Sequence, residues 1–111
     1  MSFLSQAKFE IVREIAFGAI GAAYSVVGTP VVNPIRIVRF VNETDEAVYV
    51  SFDGVHNHIR LSTGSFYLLD IDSNRENLNS FALQKGTVFY IKAVGALPTS
   101  GDCWIETVYA A

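Results

Sequence analysis

Charged side chains are scarce in this chain. Asp, Glu, Lys and Arg together make up 17% of 111 residues, where an average soluble domain carries roughly a quarter. Half of the residues are hydrophobic, and a chain of this length has the size for one core but hardly for two. Apolar surface is therefore left over, and contact with neighbouring subunits is the usual way to cover it. The alternative is a neutral monomer surfaced with Ser, Thr and Asn. Basic residues are few as well: eight against eleven acidic ones, a net charge of -3, with no Lys/Arg run anywhere. That excludes a general nucleic-acid binder, which needs a basic face to displace counterions from phosphates. Cysteine occurs once, so no internal disulfide can form. Cys103 lies beside Trp104 in an apolar run and reads as a buried, inert thiol.

Long clean hydrophobic runs are missing too. Residues 15–35 carry no charge, which is length enough for a bilayer. However, Gly18, Gly21, Gly28, Pro30, Asn33 and Pro34 interrupt the stretch with turn chemistry, which argues against a membrane span. A signal peptide fits poorly, because Glu10, Arg13 and Glu14 fall where its basic and apolar regions would be. No phosphate-cradling loop is present: Gly18 and Gly21 are followed by no Lys-Ser/Thr. Ser51, Ser62 and Ser65 lack a nucleophile-elbow context, and no carboxylate spacing suggests glycoside chemistry. These absences point to a protein without enzymatic activity, cofactor or small-molecule substrate.

What is present is a succession of short β-branched and aromatic runs punctuated by turns. Residues 1–14 read as an arm or short helix, with apolar positions three and four apart at Phe3, Leu4, Ala7, Ile11, Val12 and Ile15. Residues 22–27, ending in Gly28-Thr29-Pro30, read as a strand and turn. Residues 35–42 and 47–52, joined by the polar stretch 42–46, read as a β-hairpin. Further strands are expected at 59–61, 65–71, 81–83, 87–94 and 103–109, with a polar loop over 72–79. Helical runs between strands are missing, so the pattern is all-β: an antiparallel β-sandwich, jelly-roll-like, forming a single domain over 15–111. Alternation nominates Ile37, Val48, Val50, Phe66, Leu68, Phe89, Ile91, Trp104 and Ile105 as core, although Trp104 and Ile105 must face opposite ways.

One polar cluster bears on chemistry. His56 and His58 flank Asn57, with Asp53, Asp70 and Asp72 nearby in sequence. Two imidazoles and a carboxylate can hold zinc or iron, so His56, His58 and Asp53 are the metal candidates. Against that stands a simple turn at Asp53-Gly54 with exposed loop histidines, and the expected metal content is none. Aromatic neighbours such as Phe66/Tyr67 and Phe89/Tyr90 should each place one ring inward and one outward. Outward rings leave open a carbohydrate- or receptor-binding module, but the stretches 42–46, 72–80 and 95–101 contain no aromatic residue.

The order of features from Arg36 to Tyr109 carries a resemblance. Asn-x-Thr-Asp at 42–45 leads to Val-x-Val-Ser-Phe-Asp-Gly at 48–54; a histidine loop and Thr63-Gly64 follow. Lys85-Gly86-Thr87 then precedes Phe89-Tyr90-Ile91-Lys92, and Ser100-Gly101 precedes the last strand. This resembles the small β-sandwich virion proteins of tailed bacteriophages, which decorate capsids or build necks and tails. The resemblance implies a structural part of a virion, made in the host bacterial cytoplasm. Its partners would be itself, as a trimer or ring, and other virion proteins. The uncharged segment 15–35 adds apolar area beyond what one core of this size holds, and residues 2–27 are then expected to lie against an adjacent subunit.

Overall fold

The computed structural model describes residues 7–70 and 83–110. Among the described residues nine strands follow one another: β1 (Ala7–Phe9), β2 (Arg13–Ala16), β3 (Ser25–Val26), β4 (Ile35–Asn42), β5 (Val48–Ser51), β6 (Ile59–Leu61), β7 (Phe66–Asp70), β8 (Tyr90–Ala93) and β9 (Asp102–Ala110). A single 3-10 turn at Phe17–Ala19 is the only helical element among the described residues, and none of their helices is long and apolar enough to cross a membrane. The strands form two antiparallel sheets. The larger runs β1-β9-β4-β7, with β2 also on the β9 edge; the smaller runs β3-β8-β5-β6. The inner faces meet over Val38, Phe40, Ile105 and Cys103 from the larger sheet and Val48, Val50, Ile91 and Leu61 from the smaller. Phe40 stands edge-on to Phe89 and Phe52, with ring centroids 5.7 and 5.9 Å apart, the geometry that aromatic quadrupoles favour. The all-β sandwich read from the sequence is the fold observed.

Several local expectations are corrected. The stretch 35–52 is not a hairpin: β4 pairs with β7 and β9, whereas β5 pairs with β6 and β8 in the other sheet. The cause is Asn42, which is fully buried. Its side-chain amide donates to the carbonyls of Glu46 (2.9 Å), Leu61 (3.2 Å) and Ser62 (3.3 Å), and its Oδ1 accepts the Thr44 N–H at 2.9 Å. The polar turn after Asn42 is thereby folded inward and carries the chain across the core instead of back along β4. The same turn is held to the chain before β9. Glu43 N–H bonds the Asp102 carbonyl at 2.9 Å, and the Asp45 carboxylate accepts the Thr99 N–H at 2.8 Å. Gly101, at φ +89°, sits so close that a Cβ there would overlap the Glu43 carbonyl. The Asn-x-Thr-Asp and Ser-Gly features are thus one structural joint.

No helix forms over residues 7–16; both strands in that stretch are extended along β9. The spacing of three and four misleads because Phe9 and Ile11 point to solvent, while the buried residues are Arg13 and Ile15, two apart. Nor does the uncharged segment wait for a neighbour. Ile15, Ile20, Val27, Val31 and Ile35 from it are buried in this chain's own core. The strand expected at 87–94 forms only over Tyr90–Ala93; residues 87–89 precede it, yet Val27 and Val31 donate to the carbonyls of Phe89 and Thr87 at 2.8 and 3.0 Å, and Phe89 is buried. Of the nominated core, Val48, Val50, Phe89, Ile91 and Ile105 are buried, whereas Ile37, Phe66, Leu68 and Trp104 face outward. For Ile37 the reason is a bulge between Ile35 and Ile37 that shifts the register and flips the following alternation. The expectations for Asp72, the loop 72–79 and Phe81-Ala82 lie outside the described residues.

Candidate functional site

The histidine cluster converges only in part. Asp53 organises the loop 52–58: its Oδ1 accepts the N–H groups of Val55 and His56, both at 2.8 Å, and its Oδ2 lies 2.7 Å from His56 Nδ1. The His56 backbone N–H and imidazole hold the Asp53 carboxyl well below the usual carboxylate range. His58 is turned the other way. Its Nδ1 accepts the Phe52 N–H at 3.0 Å, and its Nε2 is 4.0 Å from Asp53 Oδ2. In the neutral ring the proton therefore sits on Nε2, the nitrogen that would have to bind a metal. Asp70 lies in β7 of the larger sheet, and Asp72 lies outside the described residues. Among the described residues, no group of three or more His, Cys, Asp or Glu side chains is placed to hold a metal ion. The loop is a hydrogen-bonded turn that caps β5. Cys103 is buried at the back of β9, where desolvation pushes its thiol up to about 12. It is protonated at neutral pH and unsuited to nucleophilic work.

The two outer faces differ in character. On the smaller sheet, Lys92 places its ammonium 4.8 Å from the Tyr24 ring and 5.9 Å from the Tyr49 ring, and the Tyr24 hydroxyl donates to Asn57. These polar groups satisfy one another. The larger sheet instead turns apolar side chains to solvent in cross-strand rows. One row is Phe9, Val108, Ile37 and Asp70; the next is Glu106, Arg39 and Leu68; the third is Glu14, Trp104, Val41 and Phe66. Phe9, Phe66 and Leu68 are 73, 61 and 55% exposed. Single exposed apolar residues need no explanation, but a contiguous patch marks an interaction surface.

The Arg39–Glu106 ion pair, 2.7 Å long and about half exposed, crosses the middle of this face. Arg39 also lies over the Phe66 ring at 5.7 Å. On one side of the pair is a groove of about 520 Å³ walled by Phe9, Val12, Ile37, Leu68 and Val108. On the other is a smaller, mostly polar groove of about 210 Å³ lined by Arg39, Glu43 and Glu106 beside Val41 and Trp104, whose indole N–H donates to Glu43 at 2.9 Å. An apolar groove beside a neutralised pair suits a protein partner better than a small polar substrate.

A buried ionic clasp sets the groove's wall. Arg13 and Glu10 are paired at 2.8 Å, with side chains 5 and 8% exposed. Arg13 Nε donates to the Thr29 carbonyl at 2.7 Å and its terminal nitrogens reach Pro30 O and Thr107 Oγ1. Glu10 Oε2 accepts from Val32 N, Asn33 N and Asn33 Nδ2, each at 3.0 Å. Phe9 and Val12 flank these two residues and are thereby fixed at the edge of the groove. Sequence reasoning missed both the clasp and the face. Arg13 and Glu10 entered the sequence reading only as charges that break a signal peptide, and the only outward signal was a strand, Phe66–Asp70, with large apolar residues at consecutive positions and so on both faces.

The chain matches no family model, no curated protein and no solved structure at a significant level.

Proposed function

We propose that this protein is a non-enzymatic structural subunit of a tailed-bacteriophage virion, a capsid-decoration, neck or tail component that works through contacts with its own copies and with neighbouring subunits. The observation that carries the reading is the solvent-facing apolar surface of the larger sheet, on a chain whose charge is too sparse to cover it. Leaving such a surface open costs about 25 cal/mol per Å² relative to burying it, which favours a partner in the working state. The setting in a virion is supported by the sequence pattern from Arg36 to Tyr109. The Asn42 joint gives that pattern a mechanical meaning, since its polar residues tie the two sheets together. Quantitative mass spectrometry of purified phage particles from the source lysate tests the proposal. The expected result is the chain present at a fixed copy number per particle that is a multiple of three, five or six. Its absence from purified particles, with the protein remaining in the soluble fraction, would remove the virion reading.

A further inference from the structure

The centre of the larger sheet's outer face, on β4 and β9, is complementary to itself. Resting on the subunit reading above, we propose that two copies of this chain stack through that face about a two-fold axis, with Arg39 of each copy paired to Glu106 of the other. The axis runs parallel to the strands and passes between β4 and β9. Rotation about it lays each β9 over the partner's β4. Because Arg39 and Glu106 are register partners on these two strands, each guanidinium then meets a carboxylate of the second copy, and four charges alternate in sign. In the same superposition Val108 meets Ile37 and Trp104 meets Val41, so apolar residues cover apolar residues on both sides of the charges. Phe9 and Leu68 fill the remaining length of the large groove. In the outermost columns, on β1, β2 and β7, the same rotation sets Asp70 over the partner's Phe9 and Glu14 over the partner's Phe66, so these carboxylates stay at a wet rim and the apolar match is confined to the central strands.

Charge selects a second copy over a foreign partner. A foreign partner of marked charge would be matched by an excess of the opposite sign, whereas the centre of this face holds one cation and one anion 2.7 Å apart. Strands of eight (β4), nine (β9), five (β7) and seven residues (β1 with β2), at about 4.8 Å spacing and about 3.3 Å rise, give a face of roughly 450 Å². Two such faces bury roughly 900 Å², the size of a weak, reversible interface. Stacked sheets lie about 10 Å apart, a distance that the outward side chains of both copies span.

The test is a complementary charge swap followed by light scattering on separate and mixed proteins. Both side chains are about half exposed, so Arg39→Glu and Glu106→Arg are expected to fold, with far-ultraviolet circular dichroism like that of the wild type. Each variant alone places like charges across the axis and is expected to raise the dimer dissociation constant about thirtyfold or more. Mixed one to one, the two variants restore opposite charges at both contacts between copies. The introduced carboxylate of one then faces the introduced guanidinium of the other, and the two unaltered side chains, Glu106 and Arg39, face each other, while the pair within each chain stays mismatched. A one-to-one heterodimer of near wild-type affinity is the predicted outcome, and an ion pair internal to each chain gives no such rescue. If the wild type self-associates but neither reversal weakens it, or if mixing rescues nothing, this contact is wrong while the assembly reading stands. A wild type that stays monomeric at high concentration overturns the contact, and the particle analysis then decides the assembly reading separately.

Discussion

Replacing Arg13 by Ala is expected to remove about 3–5 kcal/mol of folding stability, the usual cost of breaking a buried ion pair. The guanidinium serves four acceptors from three separate parts of the chain: Glu10, the Thr29 and Pro30 carbonyls, and Thr107. Its loss leaves the Glu10 carboxylate buried with only Val32 and Asn33 as donors. It also empties the space beside Gly28, where a Cβ would stand 2.7 Å from Arg13 Cγ. For a domain of this size the melting temperature should fall by more than about 12 °C. The double replacement Glu10→Gln with Arg13→Met should recover part of the loss, because no uncompensated charge then remains.

The clasp also has a pH signature. Burial works to raise the Glu10 pKa, but hydrogen bonds from Arg13, Asn33 and Val32 outweigh it and leave the pKa below its ordinary 4.5. A carboxyl whose folded pKa is depressed contributes stability that is fully present above its unfolded pKa and is lost as pH falls through the folded one. Stability should therefore decline below about pH 4.5, and Glu10→Gln should flatten that decline. Asp45 and Asp53, also lowered but at the surface, should leave a residual slope.

Replacing Asn42 by Ala should cost about 3 kcal/mol or more, since each buried polar group left without a partner costs about 1–3 kcal/mol. The buried Thr44 N–H and hydroxyl lose their acceptor, the carbonyls of Glu46, Leu61 and Ser62 each lose a donor (Glu46 keeping the Thr44 hydroxyl and Ser62 keeping Ser65), and the turn that carries the chain between sheets loses its anchor. Asn42→Asp keeps the volume and the Oδ1 acceptor but turns a carboxylate toward the carbonyls of Glu46, Leu61 and Ser62. It should be at least as damaging near neutral pH, unlike a change whose effect is only lost packing. Chemical denaturation checks this: the midpoint should fall while the slope stays near that of the wild type.

The strands and the sandwich were legible because alternation and turn residues act locally. Val48, Val50, Ile91 and Ile105 could be placed inward from their neighbours alone. Three features could not be read that way. The bulge at Ile35/Ile37 reverses one face of β4, and nothing in the run Ile35-Arg36-Ile37-Val38 marks it. Consecutive large apolar residues in β7 satisfy either orientation, so Phe66 and Leu68 could not be placed outward. The inward turn of Arg13 depends on carbonyls at residues 29 and 30 and on Glu10, a coincidence of separate parts of the chain that no periodicity encodes. The site was hidden for the same reason. A face made of side chains from β1, β4, β7 and β9 exists only once the strand order β1-β9-β4-β7 is known. Truncating residues 1–14, a natural probe if they were a loose arm, would remove the clasp and two strands' pairing and so test folding instead of assembly.

Sedimentation equilibrium of the wild type and of Leu68→Asp, over a concentration series, puts the central claim to its most direct test. Leu68 is exposed at the wall of the large groove, so the substitution leaves the core intact while placing a charge where apolar contact is required. The wild type should rise above its monomer mass of 12.2 kDa to twice that value or a higher multiple, and the variant should remain at the monomer mass. Equal masses for the two proteins at every concentration would contradict assembly through the outer face of the larger sheet.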